Sequence, residues 1–296
     1  IPKSGLEAIW NHILYWNGGA FDGPVNFYLV TADGKASLLS AQRTVNVRND
    51  YYIEGGSPET WNGFYKKAVI LMSGPPVRAG EGSAVWANKD SSEDAAWSYF
   101  PGQRRVRQLP SPCCDTPNPG LSGLATFDEI ANWFGRTVRY DWKIIGKKEV
   151  YLPYNENRLP HAPSNSALIS GHIYNPEYRR YELHRVWEIE ATLKPDQRHI
   201  YPKLKLYLDE DNWQAVVVER YDANGELWKV ASLVMTAMPD VPMVGTNGYS
   251  AIYDIVAKET LIFGVSEVPY NMKIVDPKKL PESIFTPEAL ASRGVR

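Results

Sequence analysis

Cysteine is nearly missing: the 296 residues hold two, Cys113 and Cys114, and they are adjacent. That spacing excludes a Cys-x-x-Cys redox pair, and two neighbouring thiols with scattered histidines make no metal centre. Within the proline-rich stretch SPCCDTPNP the pair reads equally as two loop thiols or as a strained vicinal disulfide, which requires an oxidising compartment. No apolar run approaches the ~20 residues of a membrane-spanning helix. Excess charge is missing too. A formal net charge of -2 excludes the broad cationic surface on which nucleic-acid binders rely. Catalytic signatures are equally scarce: there is no Gly-x-Ser-x-Gly, since Ser170-Gly171-His172 lacks the flanking pattern. Neither a Gly-rich phosphate cradle nor His-Glu-x-x-His occurs. The sequence therefore predicts neither an enzyme nor a cofactor.

Tryptophan and tyrosine, by contrast, are plentiful: 10 and 18, against 8 phenylalanines. Both pair an apolar body with a polar tip, which suits strands and half-wet pockets. With 44% hydrophobic residues the chain can bury a sizeable core. Its first residue is Ile1 rather than Met, so a processed or trimmed chain is expected, with any export leader already removed.

A helix is predicted at the start. Ser4 and Glu7 fit a capping box, Leu6, Ile9, Trp10, Ile13 and Leu14 form one stripe, and Asn17-Gly18-Gly19 ends it. Strands over Val25 to Thr31 and Ala36 to Arg48 follow, joined at Asp33-Gly34. Ser57-Pro58 opens a second predicted helix carrying Trp61, Phe64, Tyr65 and Ala68 inward, although Val69 to Met72 equally begins a strand. Ala95, Trp97 and Tyr99 share a strand face before a Pro101-Gly102 turn into Gln103 to Leu109. After a loop from Pro110 to Gly123, Thr126 and Glu129 form a capping box for a short helix bearing Phe127, Ile130, Trp133 and Phe134.

The second half predicts strands at Trp142 to Tyr151, Tyr181 to Leu193, His199 to Asp209, Gln214 to Tyr221 and Glu226 to Thr236, with another at Tyr249 to Val256. Links as short as Glu210-Asp211-Asn212 and Ala223-Asn224-Gly225 make them antiparallel neighbours. Ile200, Leu204, Leu206 and Leu208 are expected on one face, opposite Lys203, Lys205 and Asp209. A final helix from Thr286-Pro287 reads as peripheral. No linker, repeat or low-complexity segment splits the chain, so residues 1–296 are expected to form one domain. The predicted fold is mainly β: a large, strongly curved antiparallel sheet, an open half-barrel whose concave face is covered by short helices and retains a cavity.

Several long segments then resemble one family. PGQRRVRQLP (101–110), RYDWKIIGKKEVYLPYN (139–155), YELHRVWEIEATLK (181–194), LYLDEDNW (206–213) and ERYDANGELWKV (219–230) look like a family of exported proteobacterial proteins often labelled outer-membrane lipoprotein-sorting proteins. That family is similar to the LolA/LolB lipoprotein carriers, in which a curved sheet and its helices hold acyl chains. The resemblance implies a periplasmic protein, associated with the outer membrane, that binds a hydrophobic molecule and works with an export pump.

The candidate ligand-binding residues are Trp61, Phe64, Trp97, Trp133, Phe134, Arg105, Arg185 and Trp187. The aromatics suit the wall of a hollow, helix-borne Trp61, Phe64, Trp133 and Phe134 forming a lid at its mouth. For each ring alone, core packing is the better explanation. An arginine grips a carboxylate or phosphate head bidentately. Arg185 is the best placed, sharing a face with Leu183, Trp187 and Ile189, while Arg104, Arg105 and Arg107 also read as cross-strand ion pairs on a wet face. His184 and His199 fall on sequential strands, where ordinary hydrogen-bonded histidines are expected rather than a metal or catalytic pair. The leading expectation is a non-enzymatic periplasmic carrier of a hydrophobic or lipid-like ligand. A second is an envelope interaction module whose sheet edge meets an inner-membrane pump or an outer-membrane component. A lipid-acting enzyme lacks any nucleophile or metal constellation to support it.

Overall fold

The computed structural model describes residues 1–48, 59–109, 113–245, 249–264 and 273–293. Helix α1 (Gly5–Ile13) opens the chain, with the Ser4 side chain accepting from Glu7 N–H as the capping pattern predicts. Six strands follow: β1 (Ala20–Val30), β2 (Ala36–Val47), β3 (Phe64–Gly74), β4 (Gly82–Asn88), β5 (Ala95–Phe100) and β6 (Arg105–Gln108). A long connection leads to β7 (Tyr140–Pro153), a one-turn α2 (Asn165–Leu168) and the short β8 (Ile169–Ser170) and β9 (Ile173–Tyr174). The meander resumes as β10 (Tyr181–Leu193), β11 (Lys203–Asp209), β12 (Ala215–Tyr221) and β13 (Leu227–Leu233). It ends with β14 (Thr236–Met238), β15 (Met243–Gly245), β16 (Ser250–Asp254), β17 (Glu259–Phe263), β18 (Lys273–Val275) and α3 (Pro287–Arg293).

One 14-stranded antiparallel sheet carries the molecule, in the order β6-β5-β4-β3-β2-β1-β17-β16-β13-β12-β11-β10-β7, with β18 also paired to β1. Almost every neighbour in space is a neighbour in sequence, because the links are tight. The longest-range joins are those of β1 to β17, where Phe27 faces Phe263, and of β1 to β18, where Ala20 faces Val275. β6 and β7 end the order and do not pair, so the sheet is an open half-barrel rather than a closed barrel. Register shifts between Phe27 and Tyr28, Ala41 and Gln42, and Glu188 and Ile189 add the local twist that bends it.

The predicted second helix is a correction. Ser57 and Pro58 lie outside the described residues, but Phe64–Gly74 is strand β3, paired with both β2 and β4. Within it Ala68 to Met72 reads as a continuous apolar run, which does not distinguish helix from strand. The tail, too, is not peripheral. Phe285 is 1% exposed and Leu290 fully buried, packing with Val45, Val69, Ala84 and Tyr99 on the convex face of β2–β5. In α1 the buried stripe is Gly5, Ala8, Ile9, His12 and Ile13, while Leu6 and Leu14 face water. Gly5 is required there, since a Cβ would stand 2.5 Å from the Trp142 carbonyl carbon. Leu204, Leu206 and Leu208 are buried together as expected, but Ile200 precedes the strand and is exposed.

Candidate functional site

Two bodies occupy the concave side of the sheet. Over β10–β12, helix α1 and the segment around Trp133 pack against Ile189, Leu204, Leu206 and Val218. Over β1–β5 the filling stops short. A cavity of about 250 Å³ remains there, walled by alternate residues of each strand: Phe21, Val25 and Phe27 on β1, Gln42, Thr44 and Asn46 on β2, and Lys66, Ala68, Ile70 and Met72 on β3. Its volume is just under the ≈ 300–1,000 Å³ of small-molecule sites. The roof is Phe127, Ile130, Ala131, Trp133 and Phe134, and its end is formed by His12, Ile13 and Tyr15.

The roof is not the helix that the capping box predicts. That box forms, with Thr126 N–H on Glu129 Oε2 at 2.7 Å, yet only one 3₁₀ turn, Phe127–Glu129, results. Left-handed Ala131 (φ 51°) and Asn132 (φ 67°) then reverse the chain. Buried polar contacts strap this segment to the sheet. Asn132 Nδ2 donates to the carbonyls of Ala215 and Val216 at 2.7 and 2.9 Å. Arg220 donates to the Asn132 carbonyl, His199 Nε2 lies 2.7 Å from Asp128 Oδ2, and Glu129 Oε1 lies 3.6 Å from both Arg220 Nε and Lys229 Nζ. These buried contacts tie the roof segment to the sheet.

One end of the cavity is cationic. Arg48 is 5% exposed; its Nη2 donates to the Ile13 carbonyl at 2.7 Å and its guanidinium lies over the rings of Tyr15 and Tyr65. Lys66 keeps part of its surface at the cavity wall, with Nζ 4.4 Å from the Phe134 ring centre. Desolvation, then the charge of Arg48, lowers its pKa to about 8. His12 is held neutral: burial depresses its pKa to about 4, Nδ1 accepts from Ala215 N–H at 3.0 Å, and Nε2–H donates to the Trp133 carbonyl at 3.0 Å.

Of the eight candidates, the cavity gathers Trp133 and Phe134. Trp97 borders it, but its ring packs in the convex-face cluster, edge-on to Trp86 at 4.9 Å. Trp61 donates its indole N–H to the Phe64 carbonyl at 3.0 Å, and Phe64 meets Trp86; neither reaches the cavity. Trp187 stacks on Trp213 with Lys147 above it. Arg105 is exposed on the edge strand β6. Arg185 does not point inward: its side chain is 59% exposed and pairs with Glu210 at 2.5 Å, because the cover over that face of β10 ends near Trp187. His184 and His199 are held by different carboxylates, Asp209 at 2.9 Å and Asp128 at 2.7 Å. Cys113 and Cys114 are buried thiols, not joined as a disulfide.

The residues missed from sequence are His12, Arg48 and Lys66. Their signal was the run Gln42, Thr44, Asn46 alternating with Val45 and Val47, which marks a strand with one greasy face and one turned toward a partly polar space.

The comparisons with known proteins agree with this architecture. An outer membrane lipoprotein-sorting protein domain from Vibrio parahaemolyticus superposes with a TM-score of 0.66 at 15% identity, covering 97% of this chain and 98% of that one. A DUF1329 family protein from Desulfovibrio piger gives 0.63 at 12% identity, with 97% of each chain covered. A LolA superfamily protein from Nitrosomonas europaea gives 0.50 at 13% identity, covering 96% and 98%. In sequence, the chain is 36% identical to the uncharacterized protein PA3922 of Pseudomonas aeruginosa over 306 aligned positions, covering 100% of this chain and 65% of that protein. A family model described as "Protein of unknown function (DUF1329)" matches residues 1–291, and the chain belongs to that family.

Proposed function

We propose that this protein is a non-enzymatic carrier that holds a hydrophobic ligand in the hollow between β1–β5 and the Trp133 segment. The observation that carries the reading is the cavity itself: about 250 Å³, with Val25, Phe27, Ile70, Met72, Trp133 and Phe134 in its wall. Burying a ligand there gains roughly 25 cal/mol per Å² of apolar surface. The chain acts as one domain in this reading, and its place is the periplasm, in keeping with the lipoprotein-sorting and LolA-type proteins whose fold it shares. Among the described residues no helix is long and apolar enough to cross a membrane.

Titration with a neutral, polarity-sensitive naphthylamine dye tests this. Saturable binding is expected in the wild type and loss of it in Ala68→Trp, which fills the hollow. Dye binding unaffected by that change would defeat the proposal.

A second reading has its own observation. β7, 14 residues long, pairs with β10 on one side and is an edge of the sheet, as a strand that docks another protein's strand would be. An envelope partner such as an export-pump component would meet the protein there.

A further inference from the structure

Two adjacent lysines on β3 have opposite fates. Lys67 faces the convex side, 2.6 Å from Glu282. Lys66, one residue away and so on the other face, looks into the hollow, and no carboxylate of the described residues pairs with it. No Asp or Glu stands among the described residues of the cavity wall. Arg48 stands on the same wall with its Nη2 donating to the Ile13 carbonyl, and His12 beside it is neutral. An ammonium at an apolar wall without a counter-charge is costly, and a ligand's anion would relieve that cost.

The rest of the wall fixes the ligand's shape. Lys66, Ala68, Ile70 and Met72 follow one another along one face of β3, and six residues of strand span about 20 Å. Past Lys66 the β3 part of the wall is apolar, Ile70 and Met72 being joined by Leu121, Phe27 and Phe263, with Gln42, Thr44 and Ser83 on the flanking strands. The space is therefore long, charged at one end, and too small for several chains side by side.

We propose that the hollow takes a single-chain amphiphile with a carboxylate head, the head against Lys66 and the tail along β3 toward Met72. This rests on the carrier reading and narrows it to a ligand class.

Competition against the bound naphthylamine dye tests it, using hexadecanoate, hexadecanol and acetate at neutral pH. The acid is expected to displace dye roughly tenfold more effectively than the alcohol, the yield of one charge-assisted contact. Acetate alone should not compete, because the tail supplies most of the affinity. The preference should vanish in Lys66→Met and persist in Lys66→Arg, with far-ultraviolet circular dichroism confirming that each variant is folded. If Lys66→Met does not fold, the wild-type ratio and Lys66→Arg decide. Acid and alcohol competing equally would overturn the head-group assignment and leave the carrier standing. A preference that survives in folded Lys66→Met would overturn it as well. If neither long-chain compound competes and the dye itself does not bind, both readings fall.

Discussion

Tyr201 donates its hydroxyl to Glu129 Oε1 at 3.1 Å across the seam between the cavity roof and the sheet. Both residues are buried, and two cations, Arg220 and Lys229, lie 3.6 Å from the same oxygen. The capping-box glutamate that the sequence offers as a helix starter is thus the anchor of the roof.

Removing that anchor strands two buried cations. Glu129→Ala is expected to lower unfolding stability by about 3–5 kcal/mol, the cost of breaking a buried ion pair from one side. Urea denaturation followed by tryptophan fluorescence measures it. A loss below about 1 kcal/mol would mean that the roof is loosely held after all.

Acid should weaken the fold through His12. Its pKa falls from 6.5 to about 4 on burial, so between those values the unfolded chain binds a proton that the folded chain refuses. Stability then falls as pH drops from 6.5 toward 4, by about 3 kcal/mol in all at 1.36 kcal/mol per unit. Denaturation midpoints at pH 7, 5.5 and 4 give the slope. His12→Gln, less stable throughout, should flatten it, and an unchanged slope would acquit His12.

Left-handed backbone at Ala131 offers a gain. Alanine at φ 51° is strained, whereas glycine adopts this conformation freely. Ala131→Gly should raise stability by roughly 0.5–1 kcal/mol, offset in part by the greater freedom of glycine in the unfolded chain. A lower thermal midpoint would show that the methyl's packing in the cavity wall outweighs the relieved strain.

Cys113 and Cys114 should behave as protected thiols. They are 6% and 1% exposed. The neighbouring Cys113 thiol, and then burial, push the Cys114 pKa upward, away from the reactive thiolate. Ellman's reagent is expected to titrate neither in the native protein and both in denaturant. Detection of no thiol in denaturant until a reductant is added would establish the vicinal disulfide instead.

Much of the sheet was legible because its evidence is local. Asp33-Gly34 and Asn224-Gly225 turn the chain between runs of strand-forming residues, and turns that short leave antiparallel pairing as the natural outcome. Tyr181–Leu193 was readable to the residue. β3 was ambiguous because Trp61, Phe64, Tyr65 and Ala68 satisfy a helical period, while pairing to β2 and β4 is a contact with distant residues. Arg185 was misplaced for a related reason. Alternation gives the face of a strand but not how far along that face its cover extends, and here the cover stops at Trp187.

What the chain's own order of residues determined is a set of hairpins, their antiparallel sense, the capped first helix and the presence of enough apolar surface to bend the ribbon over a core. Those are properties of neighbours along the backbone. Which face of each strand met a filled interior, and that the filling gave out over β1–β5 beside Lys66, was decided only by the tertiary packing of the Trp133 segment and α1. A void is the shape left between elements far apart in sequence, and no local preference specifies it.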